Sequence, residues 1–307
     1  MDARGREVTD DAELERIRAL AIPPAWEDVW ILPKPGAKLQ ATGVDAAGRT
    51  QYLYHPRFRA MRERAKFDRL LHFARSLPDL RASTARHLRL EAHDPDWTCA
   101  IAVGVVNKAW LRVGDDRHAR RARTYGVTTL RKRHVSIDGD EITFCFRAKN
   151  RRLVRRTLRH PTLAAGVRSL TELPGGSRLF RFLRDGEIAD LTARQLNEYI
   201  AEHMGNGFTA KDFRTWGGTL LAAVELDRLG SAGSEAEAKR AVAATMRKVG
   251  DELGNTPTVA RASYVSPVVV ESYLDGVTIA AYRRRRRSSR HLTADGSALL
   301  GLLRARA

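Results

Sequence analysis

Residues 134–150, HVSIDGDEITFCFRAKN, alternate apolar and polar side chains on both sides of a DG turn. Successive side chains of a strand point to opposite faces, so this spacing predicts an antiparallel hairpin with one apolar face. A third strand is predicted in RRLVRRTL, residues 151–158, which places Lys149 and Asn150 at a second tight turn. The apolar positions of the hairpin are Val135, Ile137, Ile142, Phe144 and Phe146.

The sequence around this sheet is typical of helices. Three helix starts carry capping-box pairs, and two glycines are placed where helices would end. The pairs are Thr192 with Gln195, Thr209 with Asp212 and Ser234 with Glu237, and the glycines are Gly230 and Gly254. Residues 81–307 are therefore predicted to form a mainly α-helical domain with a three-stranded antiparallel sheet, ending in a basic segment at 283–307.

Residues 1–80 are predicted to form a smaller domain that contains a β-sheet. A short helix in DDAELERIRAL precedes three strands, in AWEDVWI, KLQATGV and RTQYLYH, and a long basic helix over residues 56–77. The apolar stripe of that helix is assigned to Leu70, Leu71, Phe73 and Leu77. Pro78 is expected to break the helix, so PDLRAST is predicted to be a linker. The fold class is predicted to be α+β.

The charge balance indicates the kind of partner. The chain of 307 residues has 54 Lys and Arg against 36 Asp and Glu, a net charge of +18, with a pI near 10.7. So basic a protein usually binds a polyanion, most often nucleic acid. A ribosome-associated or merely basic surface is the alternative.

Several classes of protein are disfavoured. Cys99 and Cys145 are far apart and have no ligand-like spacing, so neither a disulfide framework nor a metal site is expected. The N-terminal MDARGREVTDDAELERI lacks the apolar core of a signal peptide, and nowhere do about 18 apolar residues run together. The expectation is a soluble cytoplasmic protein with no membrane partner.

Arg112 is the first basic residue that composition does not explain. It lies in the apolar context AWLRVG, which suggests a guanidinium held near the core. Burying a charge is costly unless it has an anion to bind. Asp115 and Asp116 are candidates for that anion, and a bound ligand is the other possibility.

The stretch FTAKDFRTWGG raises a related question. It places Lys211 and Arg214 near the start of a helix, where the helix dipole disfavours cations. A bound phosphate would explain both, because helix N-termini attract anions. Gly217 and Gly218 each cost about 1 kcal/mol relative to Ala inside a helix. Close approach of another backbone is the predicted reason for them.

Tyr264 lies at a predicted break between helices. In LGNTPTVARASYVSP, Thr256 suits an N-cap and Pro257 the first helical position, while Ser266-Pro267 is typical of a second helix start. The phenol is therefore either a buried hydroxyl with a partner or a group held at a surface to react.

These groups would form a transesterification site if they met around one phosphodiester. Two arginines would stabilise a pentacoordinate transition state, a lysine would protonate the departing oxygen, and a tyrosine would be the nucleophile. Neither ATP nor a metal cofactor is needed, because the phosphotyrosyl bond keeps the energy of the broken link. The bland alternative for Lys149 is a solvated turn tip.

Five blocks, in this order, resemble the short, poxvirus-like and bacterial type IB DNA topoisomerases across nearly the whole chain. They are GVDAAGRTQYLYH, LRVG…TYGVTTLRKRHV, FRAKN, KDFRTWGG and LGNTPTVARASYV. The resemblance implies a tyrosine recombinase/topoisomerase IB-like fold, with residues 1–80 as a DNA-clamp domain and 81–307 as the catalytic domain.

The resemblance also assigns roles. Arg112 and Arg214 would be the catalytic arginines, Lys149 the general acid and Tyr264 the nucleophile. Poxvirus-type members carry histidine where this chain has Asn255, and bacterial relatives carry asparagine. An amide donates a hydrogen bond but is neither acid nor base here, so Asn255 would only orient and stabilise.

The implied activity is relaxation of supercoiled double-stranded DNA by a monomer clamped on the duplex. Tyr264 would form a 3′-phosphotyrosyl link, and the free strand would swivel and religate, at the nucleoid within the cytoplasm. Candidate DNA contacts are Arg117, His118, Tyr125 and Lys211, each with a solvated or packing role as its alternative. Residues 283–290 are either a DNA-holding tail or a solubilising segment.

Two alternatives remain at this point. A tyrosine recombinase shares the chemistry, but usually has histidine three positions before the second arginine, where this chain has Lys211. A non-enzymatic basic DNA-binding protein would explain the charge and leave Tyr264 idle.

Overall fold

The computed structural model describes residues 5–205, 207–283 and 292–306. Their contacts divide the chain into two compact units, Met1–Phe67 and Asp68–Ala307. This division lies before the boundary expected at residues 80/81.

The first unit contains the predicted helix and three strands. Helix α1 spans Asp11–Ala19, and the Asp10 carboxylate caps it by accepting a hydrogen bond from the Glu13 N–H. The strands form one antiparallel sheet in the order β1-β2-β3. They are β1 (Glu27–Ile31), β2 (Leu39–Val44) and β3 (Thr50–Tyr54). The predicted elements of this unit are confirmed.

Helix α2, Pro56–His87, continues through the proline that was expected to end it. The prediction of a break at Pro78 and a linker after it is wrong. An internal proline costs about 3 kcal/mol, but here apolar side chains on both sides of it are buried, which offsets that cost. They are Leu70, Phe73, Leu77 and Leu80.

Helices make up most of the second unit. The predicted pairs at Thr192, Thr209 and Ser234 lie at helix starts, and Gly230 and Gly254 lie at helix ends, as predicted. The helices are α3 (Pro95–Ala109), α4 (Asp116–Arg121), α5 (Pro161–Glu172), α6 (Ala193–Met204), α7 (Ala210–Leu229), α8 (Glu235–Leu253), α9 (Pro257–Tyr264), α10 (Pro267–Leu274) and α11 (Ala294–Ala305).

The predicted three-stranded sheet is confirmed. Its antiparallel strands are β4 (Val135–Asp138), β5 (Glu141–Arg147) and β6 (Leu153–Arg159). The β5–β6 turn consists of Lys149–Arg151. Ile142, Phe144 and Phe146 are buried, so the apolar face of β5 packs into the core.

A second hairpin was not predicted. Strands β7 (Arg181–Arg184) and β8 (Glu187–Asp190) flank Asp185-Gly186, a dipeptide that is itself a hairpin signal. Of the basic run at 283–290, only Arg283 is described, and it pairs with Asp227 and Asp295. The other residues of that run lie outside the described residues. Within the described ranges, no helix has both the length and the apolar character needed to cross a membrane.

An aromatic cluster joins α2 to α7 in the core. Phe73, 1% exposed, packs edge-on against Phe208 and Phe213, with ring centroids 5.6 and 5.0 Å away. Trp216 lies at 6.3 Å. Large buried side chains therefore hold the core-facing side of α7 in place, and they leave little room for its neighbours to repack.

We expect Phe73→Ala to lower the free energy of unfolding by about 3–5 kcal/mol, because a buried phenylalanine leaves a cavity when truncated. Urea unfolding followed by tryptophan fluorescence measures this. Leu229→Ala, at an exposed position on α7, is the control and should change stability by less than about 0.5 kcal/mol. Equal effects of the two substitutions would contradict the packing described.

Candidate active site

Arg214 is a buried cation near the start of α7. Its side chain is 3% exposed. Nη1 donates to the Trp110 carbonyl at 2.5 Å and Nη2 to the Leu253 carbonyl at 2.7 Å. Trp110 caps the C-terminus of α3 and Leu253 is the last residue of α8, so the guanidinium binds the negative ends of two helices. Among the described residues it has no carboxylate partner.

The surroundings disfavour the charge on Arg214. Burial, and then the positive charge of Arg112, lower the pKa of Arg214 to about 10. Its Nε is buried and has no hydrogen-bond acceptor among the described residues. An anion bound at this position would relieve both the desolvation and the repulsion.

Arg112 lies in the loop after α3 and is half-buried. Its carbonyl accepts a hydrogen bond from the Val127 N–H at 2.8 Å, which fixes the backbone. Its Nη2 donates to Asn255 Oδ1 at 2.6 Å and lies 3.4 Å from the Gly254 carbonyl. Arg112 is thus held by neutral oxygen atoms, as Arg214 is.

The two aspartates considered as partners of Arg112 have other roles. Asp115 caps α4, accepting from the His118 N–H at 3.1 Å. Asp116 forms an ion pair with Arg178. The suggestion that either neutralises Arg112 is therefore wrong.

Tyr264 is the last residue of α9, and its ring lies against Arg214. The guanidinium carbon of Arg214 is 4.8 Å from the centroid of the Tyr264 ring. Burial raises the pKa of Tyr264, but the charge and hydrogen bond of Arg214, followed by the charges of Arg112 and Lys211, outweigh it. The net effect is a pKa below the ordinary value of 10.0. The phenol therefore lies in a positive field.

Gly218 lets α7 approach this tyrosine, and Gly217 lets it approach Trp110. A Cβ added to Gly218 would lie 2.8 Å from the Tyr264 carbonyl oxygen and 3.0 Å from its Cβ. A Cβ added to Gly217 would lie 2.4 Å from the Trp110 Nε1. The Thr219 Oγ1 donates to the Tyr264 carbonyl at 3.1 Å and completes the contact. The predicted close approach of another backbone is confirmed at Gly218, whereas at Gly217 the close neighbour is the Trp110 side chain.

Two arginines not singled out from the sequence, Arg152 just before β6 and Arg156 within it, connect this part of the chain to the end of α8 and the Asn255 loop. Arg152 Nη1 donates to the Asn255 carbonyl at 3.2 Å, and its Nη2 lies 3.2 Å from Asp251. Arg156 bonds to both the carboxylate and the carbonyl of Glu252. The only sequence signal was the basic pattern RRLVRR, which is equally typical of a solvated strand.

Beside Arg112 and Arg214 lies a cavity of about 260 Å³ in the second unit, and its described lining does not include Tyr264 or Asn255. Arg112 and Arg214 both line it, together with Arg152, Arg156 and the two carboxylates that pair with them, Asp251 and Glu252. The arrangement offers two guanidinium groups bonded to neutral oxygens and a phenol with a lowered pKa. Such a site can bind a phosphate group and present a nucleophile to it.

Comparison with known proteins places this site in a family. The model for "Eukaryotic DNA topoisomerase I, catalytic core" matches residues 55–288, and that for "Bacterial DNA topoisomerase IB, N-terminal domain" matches residues 1–45. The chain belongs to the type IB DNA topoisomerase family. It is an enzyme of that class, so the non-enzymatic and recombinase alternatives are not supported.

The relatives of this type IB topoisomerase include viral enzymes. It is 33% identical over 269 residues to DNA topoisomerase 1B of Acanthamoeba polyphaga mimivirus, covering 85% of this chain and 80% of that protein. It is 22% identical over 272 residues to DNA topoisomerase 1B of vaccinia virus (strain Copenhagen), covering 87% and 83%.

The structure of this topoisomerase does not bring Lys149 to the other four predicted catalytic residues. Lys149 is exposed in the β5–β6 turn, and its side chain forms no hydrogen bond or ion pair with any described residue. Asn150 and Arg151 both have left-handed backbone angles, with φ of 62° and 58°.

The predicted DNA contacts fall into two groups. Arg117, His118 and Lys211 are exposed, the first two on α4 and the third at the start of α7. Tyr125 is 8% exposed, and its ring centroid lies 4.4 Å from that of His134. The packing alternative is therefore favoured for Tyr125, although it also lines the cavity beside Arg112.

The lowered pKa of Tyr264 is directly measurable. In an ultraviolet titration of the free enzyme, subtraction of the Tyr264→Phe spectrum should isolate a phenolate that forms below pH 10.0. Arg112→Gln should move that midpoint upward, because a positive charge that favours the phenolate is removed. Lys239→Gln, on the exposed face of α8, is the control and should leave the midpoint in place. A midpoint above 10.0 in the unmodified enzyme would contradict the electrostatics described.

The contact at Gly218 tests positioning. Gly218→Ala should lower topoisomerase activity about 10- to 100-fold, since the added methyl displaces the Tyr264 backbone and small misplacements of reacting groups are costly. Gly104→Ala on α3 is the control, because its methyl meets the movable end of Leu163. Both variants should remain folded by circular dichroism. Full activity of Gly218→Ala would show that the close approach is not needed.

Proposed function

We propose that this topoisomerase relaxes supercoiled double-stranded DNA through a transient 3′-phosphotyrosyl intermediate on Tyr264, without ATP or a metal cofactor. The observation that carries the proposal is the phenol of Tyr264 beside the buried Arg214, whose guanidinium carbon is 4.8 Å from the ring centroid. A phenol in this field has more phenolate character than a free tyrosine.

The proposed cleavage step moves one phosphorus atom between two oxygens. The Tyr264 hydroxyl loses its proton and attacks the scissile phosphorus, and the bond from phosphorus to the 5′-oxygen breaks. The leaving 5′-oxygen takes a proton to become a hydroxyl. Religation is the reverse: the 5′-hydroxyl attacks the phosphotyrosine and the phenolate leaves. One ester replaces another at each step, so no outside energy source is required.

The two arginines are proposed to bind the non-bridging oxygens of that phosphate. Arg214 bonds to two backbone carbonyls and to the Tyr264 phenol, and Arg112 bonds to the Asn255 amide oxygen, so no carboxylate among the described residues cancels either charge. They would stabilise the additional negative charge of the pentacoordinate transition state. Because this charge is already in place before the reaction, little reorganisation is needed.

Asn255 and Lys149 complete the proposed set. The Asn255 Oδ1 accepts from Arg112, and its Nδ2 donates one hydrogen to the Leu253 carbonyl at 3.2 Å. The second amide hydrogen is then a donor for a phosphate oxygen. Lys149 is proposed as the general acid for the 5′-oxygen. From its exposed turn it would reach the phosphate only if the hairpin tip moves or the DNA approaches the tip.

Binding of the duplex is proposed to depend on the basic surface. Arg117, His118 and Lys211 are exposed and available to phosphates, and the net charge of +18 supports wide electrostatic attraction. We also propose that the N-terminal unit takes part in clamping DNA, that the enzyme acts as a monomer, and that it works at the nucleoid.

The decisive experiment is relaxation of a supercoiled plasmid in EDTA without ATP. The unmodified protein should relax it, and Tyr264→Phe should lose about 10³-fold or more of the activity because the nucleophile is gone. Its affinity for DNA should stay within a few fold, since only one hydroxyl is removed. Tyr273→Phe, in α10, is the matched control and should retain relaxation.

A second measurement separates the chemistry from its alternatives. Denaturant quenching should trap a covalent adduct that maps to Tyr264 and leaves a free 5′-hydroxyl, detectable because a polynucleotide kinase labels it directly. Relaxation by Tyr264→Phe, or an adduct on another tyrosine, would remove the assignment. Strand exchange between two duplexes by a tetramer would point instead to recombination.

A further inference from the structure

The second unit contains another cavity, of about 940 Å³, that the proposed chemistry does not use. Five helices contribute to its walls: α2, α3, α5, α7 and α11. Its volume lies within the range of about 300–1,000 Å³ that is usual for small-molecule sites. Among the described residues, Trp110 is the one that lines both this cavity and the cavity beside Arg112 and Arg214.

The polar side of this cavity is positive. Four basic residues line it, at or near the ends of α2, α3 and α5: Arg81, Arg89, Lys108 and His160. Among the described residues, no aspartate or glutamate lines it. Arg81 Nη2 lies 3.4 Å from Asn107 Oδ1, so a neutral amide is one of its partners. A lining with several bases and no acid is suited to an anion.

The bases are close enough to disfavour one another's charge. Burial, and then the charge of Arg81, lower the pKa of Lys108. Burial, and then the charge of Lys108, lower the pKa of His160. An anion among the three would relieve this repulsion, as a phosphate does between neighbouring basic groups.

His160 can donate to an anion even when it is neutral. It is the N-cap of α5, and its Nδ1 accepts a hydrogen bond from the Leu163 N–H at 3.3 Å. A neutral imidazole that accepts through Nδ1 carries its proton on Nε2. The ring therefore keeps one N–H donor at ordinary pH without the cost of a third nearby charge.

The rest of the lining is largely apolar. Leucines from four parts of the chain and two tryptophans contribute to it, leaving room for an uncharged ring or chain beside the bases. They are Leu88, Leu163, Leu220, Leu292, Trp110 and Trp216. A bare inorganic ion would fill only a small part of this volume.

We propose that this cavity binds a free phosphorylated small molecule with an apolar or aromatic part, its phosphate held by Arg81, Lys108 and His160. The phosphate of bound DNA offers the same anionic chemistry. A free small molecule is favoured for two reasons. The cavity is larger than one backbone phosphate, and a phosphate would leave its apolar residues without a contact. This inference does not depend on the proposed role of Tyr264.

The test is binding of adenosine monophosphate to the full-length protein, measured by calorimetry and by the change in tryptophan fluorescence. Lys108→Gln removes one charge at an exposed position, and His160→Asn removes the ring but keeps an N-cap residue. Each should weaken adenosine monophosphate binding about ten-fold. Inorganic phosphate should bind more weakly than adenosine monophosphate, because it lacks the part that meets the apolar wall.

Matched controls separate this cavity from other anion sites. Lys239→Gln removes the same charge from α8, outside both cavities, and should leave adenosine monophosphate binding unchanged. Binding of a short DNA duplex should respond equally to Lys108→Gln and Lys239→Gln, since both only lower the overall charge.

Three results would overturn the inference. One is the absence of saturable adenosine monophosphate binding to the unmodified protein. Another is binding that is lost in Arg112→Gln but kept in Lys108→Gln, which would place the nucleotide in the catalytic cavity. The third concerns DNA: Lys108→Gln and His160→Asn would lower the affinity for the duplex more than Lys239→Gln does, and would leave adenosine monophosphate binding unchanged. That result would identify a DNA phosphate as the anion.

Discussion

The buried charge of Arg214 constrains the rest of the catalytic unit. Removing a guanidinium from water is costly, and a carboxylate partner is the usual compensation. Here the compensation comes from the C-terminal carbonyls of two helices, at Trp110 and Leu253, which are partial charges rather than full ones. The protein therefore keeps a net positive charge in its interior. Helices α3, α7 and α8 have to meet at one point for this to be possible.

That meeting point also positions Tyr264, the proposed nucleophile. Helix α7 supplies Arg214 and, four residues later, Gly218, whose missing side chain admits the Tyr264 backbone. Helix α8 ends at Leu253, and the loop after it carries Asn255 to Arg112. Arg152, just before β6, binds the carbonyl of Asn255 in that loop, and Arg156 of β6 binds Glu252 at the end of α8, so the sheet also fixes this geometry. Displacing any of these elements would move several of the reacting groups at once.

The sequence predicted local features well and long-range contacts less well. The hairpin, its third strand and the helix caps follow from spacing of two to four residues, and all are present. The predicted helix break at Pro78 was wrong because burial of apolar side chains on both sides of the proline outweighs the cost of a proline inside a helix. That burial depends on residues distant in the chain, which a local pattern does not include. The partners of Arg112 were likewise sought at Asp115 and Asp116, three and four positions away, whereas its partner Asn255 is distant in the chain. The resemblance to the family predicted which residues form the site, whereas the spacing of residues in the sequence did not predict where Lys149 lies.

The residue at 255 shows how the site keeps its charge. Elsewhere in the second unit arginines are paired with acids, as Arg178 is with Asp116 and Arg228 with Glu225. An aspartate at 255 would have nearly the shape of the asparagine and would lie against Arg112 at about the present 2.6 Å. It would form a strong ion pair and cancel a charge that lowers the pKa of Tyr264. The amide orients Arg112 without neutralising it, so the positive field remains available to a phosphate.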